Sequence, residues 1–457
     1  MYSAVSMVIS ESRYPVHTAY AGRNAEAACR LYNAALFRIR QVFTGWDKQR
    51  RTANEQAVFD EIAVMQAAYP HIRVNRVLSY RVLDAVMRAN NNPDFFAGLP
   101  MQTAQHVLKE AATVFKAWLS AVREYKRYPE RFLGLPRMPK YLKSGAHTFC
   151  VTNQDAVLYP VYRNGAYTGQ ELKLPKLKER LFLRNIPADC TLKEVHVKPY
   201  YGKYLLLLTL ETEDTAVLSG TGNLAGVDLG TDNIAAIVST DLASRVYKGG
   251  AVLSETKRFF ERRAEAVSII TRGTTNKGAK SRHLDRLSLR HDCFMQDAMH
   301  KISADIIRYC RDHHVGTLVI GVNRLWKQNV TLGRQNNRKF VSVPHEKLRF
   351  MIRYKAALAG ITVIEQEESY TSKADVFAGD PMPVCGSETG KPVFSGTRIS
   401  RGMYRLRDGT RVNADSNGAA NILRKAFPDA WKETEDFRFL AFPESVTFKT
   451  LNRARTA

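Results

Sequence analysis

Between residues 222 and 426 the hydrophobic period changes repeatedly, and the order of those changes restricts the fold more than any other feature. NLAGVDLG and NIAAIVST are short apolar runs bounded by Gly, Asp and Asn, the pattern of strands. SRVYKGG gives a third strand. A long helical repeat follows from Leu253 to Arg311, broken by the basic loop TRGTTNKGAKSR. Then come the apolar strand TLVIGVN at 317–323, the helix PHEKLRFMIRYKAALAG, the strand ITVIEQ and the helix SNGAANILRKAF.

Three strands, helix, strand, helix, strand, helix is the order of a ribonuclease-H-type α/β domain. Two aspartates stand at its element ends. Asp228 in GVDLG closes the first strand, and Asp415 in NADSNG opens the last helix. Alone, the first is an ordinary turn residue and the second an ordinary N-cap. In this element order they converge across the sheet, where two close carboxylates repel and a pair of divalent cations relieves the repulsion. Hard oxygen ligands suit Mg²⁺ or Mn²⁺. A metal pair generally wants a third carboxylate, expected in TLVIGVN, where Gly321 stands instead. The next strand ends in Glu365, Glu367 and Glu368. Neighbouring strands are about 4.8 Å apart, so a glutamate there can reach over a residue that has no side chain.

The first 220 residues have a different pattern. YSAVSMVI gives a strand, and helical periods dominate from Asn24 to Tyr128. The helix at TAQHVLKEAATVFKAWLSAV follows Pro100, with Thr103 as its expected N-cap. Residues 126–143, KRYPERFLGLPRMPKYLK, are basic, aromatic and proline-rich. They fit a phosphate-tracking strip of Arg137, Lys140 and Lys143 beside stackable Tyr128, Phe132 and Tyr141, or else a solvated linker. From 148 to 213 the period becomes two, and EVHVKPYYGKYLLLLTLE gives a hairpin turning at Tyr201–Gly202, part of a small β-domain or barrel.

Lys and Arg number 68 against 44 Asp and Glu, a net charge of +24 that points to a polyanionic partner. The six cysteines include no C-x-x-C pair, so a zinc ribbon is not expected, and reduced thiols in a cytoplasmic protein are. No signal-peptide pattern and no membrane-length apolar run is present.

GVDLGTDNIAAIVS, YTSKAD and NADSNGAANILRK resemble the three RuvC motifs of TnpB (OrfB-type) proteins, with further similarity in LPMQTAQHVLKEA, FLGLPRMPKY and His300–Ser303. The resemblance covers most of the chain, more loosely before residue 95. It implies an RNA-guided DNA endonuclease related to type V CRISPR effectors and Fanzor proteins. The family's metal-binding aspartates fall on Asp228 and Asp415. Most members carry a glutamate where this chain has Gly321, and a zinc ribbon where it has residues 376–412 with only Cys385. A metal-free loop is therefore expected in that interval. Part of the family carries a Glu-x-Tyr-Thr-Ser instead, which Glu368–Ser372 fits. This makes Glu368 the first candidate for the third ligand and Glu367 the second.

The resemblance also implies a wedge-like β-domain (1–20 with 130–215), a helical recognition domain (21–129) and a RuvC-like nuclease domain (216–457). The partners it implies are a guide RNA encoded near a transposon end and double-stranded target DNA. Trp326, Lys327, Arg334, Arg338 and Lys339 follow TLVIGVN, while Arg398, Arg401 and Arg405 lie in the former ribbon interval. Both sets fit single-strand guidance or incidental surface charge. His313–His314 fits a charge at a helix end. Two other functions share the motifs: a nuclease-inactive RNA-guided repressor, motivated by Gly321, and a transposase acting directly in strand transfer.

Overall fold

A computed structural model describes residues 2–143, 145–184, 186–212, 222–273, 278, 280–323, 343–384 and 392–453. The chain forms two compact units, Met1–Glu213 and Asp214–Ala457.

In the first unit, helices α1 (Pro15–Gly45), α2 (Ala53–Ala68), α3 (Tyr80–Ala89) and α4 (Met101–Arg127) accompany strands β1 (Tyr2–Ile9), β2 (Phe149–Thr152), β3 (Val157–Arg163), β4 (Ala166–Lys173), β5 (Arg180–Leu183), β6 (Thr191–Tyr200) and β7 (Lys203–Glu211). Both kinds of element share one core, in which Leu31 and Leu36 of α1 are buried with Val151, Val195 and Leu208. The hairpin turns at Tyr201 (φ 48°) and Gly202 (φ 70°), the two left-handed residues that a tight β6–β7 turn requires. The described strands pair as two sheets, β1-β7-β6-β2 and β3-β4-β5, rather than as a closed barrel. Thr103 is not the cap of α4. Pro100 holds that position, and Thr103 Oγ1 lies buried and donates to the Cys150 carbonyl of β2 at 2.9 Å. Its hydroxyl thus ties the helix to the sheet.

Residues 128–143 form an ordered strip. Trp118 donates to the Pro136 carbonyl at 3.1 Å and Arg40 to the Pro139 carbonyl at 3.2 Å. Asn33 holds both backbone groups of Leu142. Arg137, Lys140 and Lys143 are exposed. The Tyr141 face is covered by Arg40 at 4.8 Å and that of Tyr128 by Arg131 at 4.2 Å, so these two rings already have cationic partners.

In the second unit, strands β8 (Asn223–Asp228), β9 (Asn233–Ser239), β10 (Ser244–Lys248), β11 (Val315–Val322), β12 (Thr362–Glu367) and β16 (Glu444–Val446) form one sheet of order β12-β11-β8-β9-β10-β16. β8 pairs antiparallel with β9 and parallel with β11, which pairs parallel with β12. Helices α5 (Gly250–Thr271), α6 (Arg282–Asp312) and α7 (His345–Leu358) precede α8 (Ala414–Ala426). One core gathers Met299 and Ile306 of α6 with Leu348 and Ile352 of α7. Another gathers Ala419, Ile422 and Leu423 of α8 with Val319 and Trp431. Helix α8 lies close on the sheet because Gly226 has no side chain: a Cβ there would stand 2.2 Å from the Ala419 carbonyl.

The interval 376–412 differs from the expected loop. Strands β13 (Thr397–Ser400), β14 (Met403–Arg405) and β15 (Arg411–Asn413) make a small antiparallel sheet. Two buried carboxylates anchor it. Asp375 accepts from the Phe377, Ala378 and Arg407 amides, and Asp380 from the Asp375 and Ser395 amides. Among the described residues no helix is long and apolar enough to cross a membrane.

Candidate active site

Asp228 is the last residue of β8 and Asp415 sits in the first turn of α8. Asp415 is not the cap. Asn413 is, its side chain accepting from the Asp415 and Ser416 amides at 3.0 and 3.1 Å. That leaves the Asp415 carboxylate available, and Asn233 of β9 donates to its Oδ2 at 2.6 Å. Gly418, one helical turn on, admits Asp228: a Cβ at 418 would stand 2.7 Å from Asp228 Oδ2.

The three glutamates at and just past the end of β12 separate by partner. Glu365 faces Arg353 and Arg349 of α7 at 3.3 and 3.6 Å. Glu367 accepts from Lys425 Nζ at 2.6 Å and from the Ser369 amide at 2.8 Å. Burial opposes its charge, but these bonds prevail and hold its carboxyl below the usual range. Glu368 continues past the strand end, its amide donating to the Val322 carbonyl at 3.3 Å. Its own carbonyl accepts from the Thr371 amide and hydroxyl. Asn417 and Asn421 of α8 in turn hold the Ala374 and Thr371 carbonyls. The YTSKAD turn is therefore fixed to the helix that carries Asp415.

Gly321 is occupied space. A Cβ there would lie 2.5 Å from Ile422 Cδ1 and 2.8 Å from Glu368 Oε2. The Glu368 carboxylate thus passes directly over the glycine.

The electrostatics fit a cluster. Desolvation first, then the charges of Glu368 and Asp415, push the Asp228 carboxyl well above the usual range, with Arg398 opposing. Burial and then Glu367 push Glu368 up to about 7, against Lys425. Among the described residues the three carboxylates do not form a group whose ligand atoms all lie within 4.8 Å of one another.

Arg398 and Arg401, expected as strand-guiding residues, lie beside this cluster. Arg398 is near enough to influence Asp228, and Arg401 pairs with Asp232 at 2.5 Å. Trp326, Lys327, Arg334, Arg338, Lys339 and Cys385 lie outside the described residues. His313 caps α6 and pairs with Asp241 at 2.6 Å. The positioning residues Asn233, Asn413, Asn417 and Asn421 were not singled out in the sequence. Their only local signal is that they lie within the two aspartate motifs.

Fold and site define the class: an α/β domain of ribonuclease-H strand order with acidic side chains gathered where β8 and β12 end and α8 begins. Two family models match the sequence, "Probable transposase" (OrfB_IS605) over residues 208–326 and "Cas12f1-like, TNB domain" over 345–422. The first includes Asp228, the second Glu368 and Asp415. The TnpB-like protein ORF457 of Acidianus two-tailed virus is 28% identical over 221 residues, 47% of this chain and 45% of that protein, so the match spans under half of the relative. The "Putative RNA-guided DNA endonuclease InsQ" of Escherichia coli is 22% identical over 316 residues, 66% of this chain and 71% of that protein. A solved Cas12f1–sgRNA–target DNA complex aligns with 90% of this chain and 84% of its own at 12% identity, with a TM-score of 0.48. By these sequence matches the chain is similar to TnpB-type proteins over its second half.

Proposed function

We propose that this protein is an RNA-guided, divalent-metal-dependent DNA endonuclease, with Asp228, Glu368 and Asp415 as its catalytic carboxylates. The observation that carries the reading is the Glu368 carboxylate lying over Gly321 and bearing on Asp228. Two desolvated carboxylates, Asp228 and Glu368, with the Asp415 charge beside Asp228 are costly unless cations compensate them, so the donor set fits two Mg²⁺ or Mn²⁺ ions. Bound, the ions would supply an activated water and charge neutralisation at the leaving oxygen of a phosphodiester. The protein's own contribution is placement. Asn233 orients Asp415, Gly418 and Gly321 leave room for Asp228 and Glu368, and the asparagines of α8 fix the turn behind Glu368. Arg398 stands where it can meet a phosphate brought to the carboxylates.

Residues 1–20 with 130–215 would act as a wedge, 21–129 as a recognition region and 216–457 as a RuvC-like nuclease. A guide RNA encoded near a transposon end would select DNA by pairing, sensed through backbone and shape. The net charge of +24 suits that load. Exposed Arg137, Lys140 and Lys143 are the candidate phosphate contacts of the first unit.

The test is plasmid cleavage by the purified ribonucleoprotein with Mg²⁺, together with sequencing of the RNA that co-purifies. Guided cutting that Asp228→Ala abolishes is expected. Target binding without nicking under any divalent metal would favour the repressor reading. Joining of element ends without a guide would favour the transposase.

A further inference from the structure

Strands β2 and β6 of the first unit carry a second donor set of different chemistry. In the antiparallel register Cys150 stands opposite His196, and Thr152 opposite Glu194. Alternation puts Cys150, Glu194 and His196 on one face of the sheet, while Val151, Val195 and Val197 point the other way into the core. A sulfur, an imidazole nitrogen and a carboxylate oxygen from these three residues all lie within 4.8 Å of one another. Glu194 Oε2 accepts from the Cys150 thiol at 3.6 Å, and Glu194 Oε1 lies 3.2 Å from His196 Nε2.

Both separations, made to different oxygens of Glu194, are comparable to those between donors in a metal shell. Tetrahedral Zn²⁺, with Zn–S of about 2.3 Å and Zn–N or Zn–O of about 2.0–2.1 Å, places neighbouring donors about 3.3–3.5 Å apart. Beside the cluster is a cavity of ≈ 290 Å³, lined by Cys150 and His196 from the strands and by His106 and Glu110 from α4. The cavity leaves room for a fourth ligand. Sulfur with imidazole and carboxylate selects a borderline-soft ion over the hard Mg²⁺ suited to the carboxylates of the second unit.

We propose that Cys150, Glu194 and His196 bind one Zn²⁺ ion, with its fourth coordination position facing the cavity beneath α4. The ion would clamp edge strand β2 to β6. The zinc expected to be missing from the interval 376–412 would then have a separate site on unrelated residues. Such a site would bind its ion whether or not the second unit cuts DNA.

The test uses the full-length chain carrying Asp228→Asn and Asp415→Asn, so that those carboxylates do not take up the probe. The chain is stripped with a chelator and titrated with Co²⁺, then with Zn²⁺. The expected result is about one equivalent of Co²⁺ bound in a tetrahedral ligand field, with thiolate charge-transfer absorption that Zn²⁺ abolishes. Cys150→Ser should remove the charge-transfer band. The near-isosteric Glu194→Gln should weaken binding at least about tenfold while the far-ultraviolet circular dichroism stays unchanged. Failure to bind, or a charge-transfer band that survives Cys150→Ser, overturns the proposal. The first outcome would leave the trio as a hydrogen-bonded cluster, and the second would place the metal on another thiol.

Discussion

The second unit gathers three carboxylates, and the first gathers a thiol, an imidazole and a single carboxylate. In the acidic cluster the charges are alike: burial and then Glu368 and Asp415 push Asp228 up, burial and then Glu367 push Glu368 up, and the site gains from cations that neutralise it. In the mixed cluster the single carboxylate of Glu194 accepts from the Cys150 thiol and lies 3.2 Å from His196 Nε2, so its charge meets groups of other chemistry rather than its own kind. The contrast teaches that the same residue type serves differently according to its neighbours. Glu367 and Glu368 repeat the lesson within one dipeptide: the first is neutralised by Lys425, and the second is left to the cluster.

The contrast breaks most visibly with the aspartates. Asp228→Ala or Asp415→Ala should reduce DNA cleavage by at least about a thousandfold, ~4 kcal/mol, in a plasmid assay. Target binding in a mobility-shift assay should persist. Equal cutting by both variants would remove the acidic cluster from the chemistry.

Next in size is a pH effect on the metal-free chain. Glu368 titrates at about 7 when folded, against 4.5 in the unfolded reference. The folded state therefore holds more protons between those values, and stability falls as pH rises through them. The fall from Glu368 should be on the order of 2–3 kcal/mol by denaturant titration in chelator, and Glu368→Gln should reduce it, leaving the part that the raised Asp228 carboxyl contributes. Saturating Mg²⁺ should also reduce it. A slope unchanged by Glu368→Gln would assign it to other groups.

A smaller effect is expected where the glutamate passes the glycine. Gly321→Ala should lower cleavage about 10–100-fold and stability by about 1–3 kcal/mol, because the new methyl must displace Ile422 or Glu368. Parent-like cleavage would mean that the passage is roomier than 2.8 Å. Smallest is Asn233→Ala, which frees Asp415 to rotate. It should cost about tenfold in cleavage with little change in melting temperature.

Much of the second unit was legible in the sequence. The runs at 223–228, 233–239, 317–322 and 362–367 are strands where their periods put them, because periodicity is a local property of the chain. The hairpin at Tyr201–Gly202 was legible for the same reason. Thr103 was misassigned because capping and cross-element hydrogen bonding use the same hydroxyl, and only the position of β2 decides between them. The small sheet at 397–413 was missed because its strands are three or four residues long, too short to establish a period.

The sequence by itself determined the order of elements, the two aspartates at element ends and the basic charge that calls for a polyanion. Each depends on residue type and near neighbours. Tertiary structure decided the rest. Strand alternation could not choose between Glu367 and Glu368. Lys425, brought in on α8 from 58 residues away, takes the first and leaves the second to pass over Gly321. Cys150 and Glu194 are 44 residues apart, and only the register of β2 on β6 makes them neighbours. The physical reason is common to both cases. A side chain's chemistry is local, but its charge partners and the space it fills are set by segments that meet only when the sheet has formed.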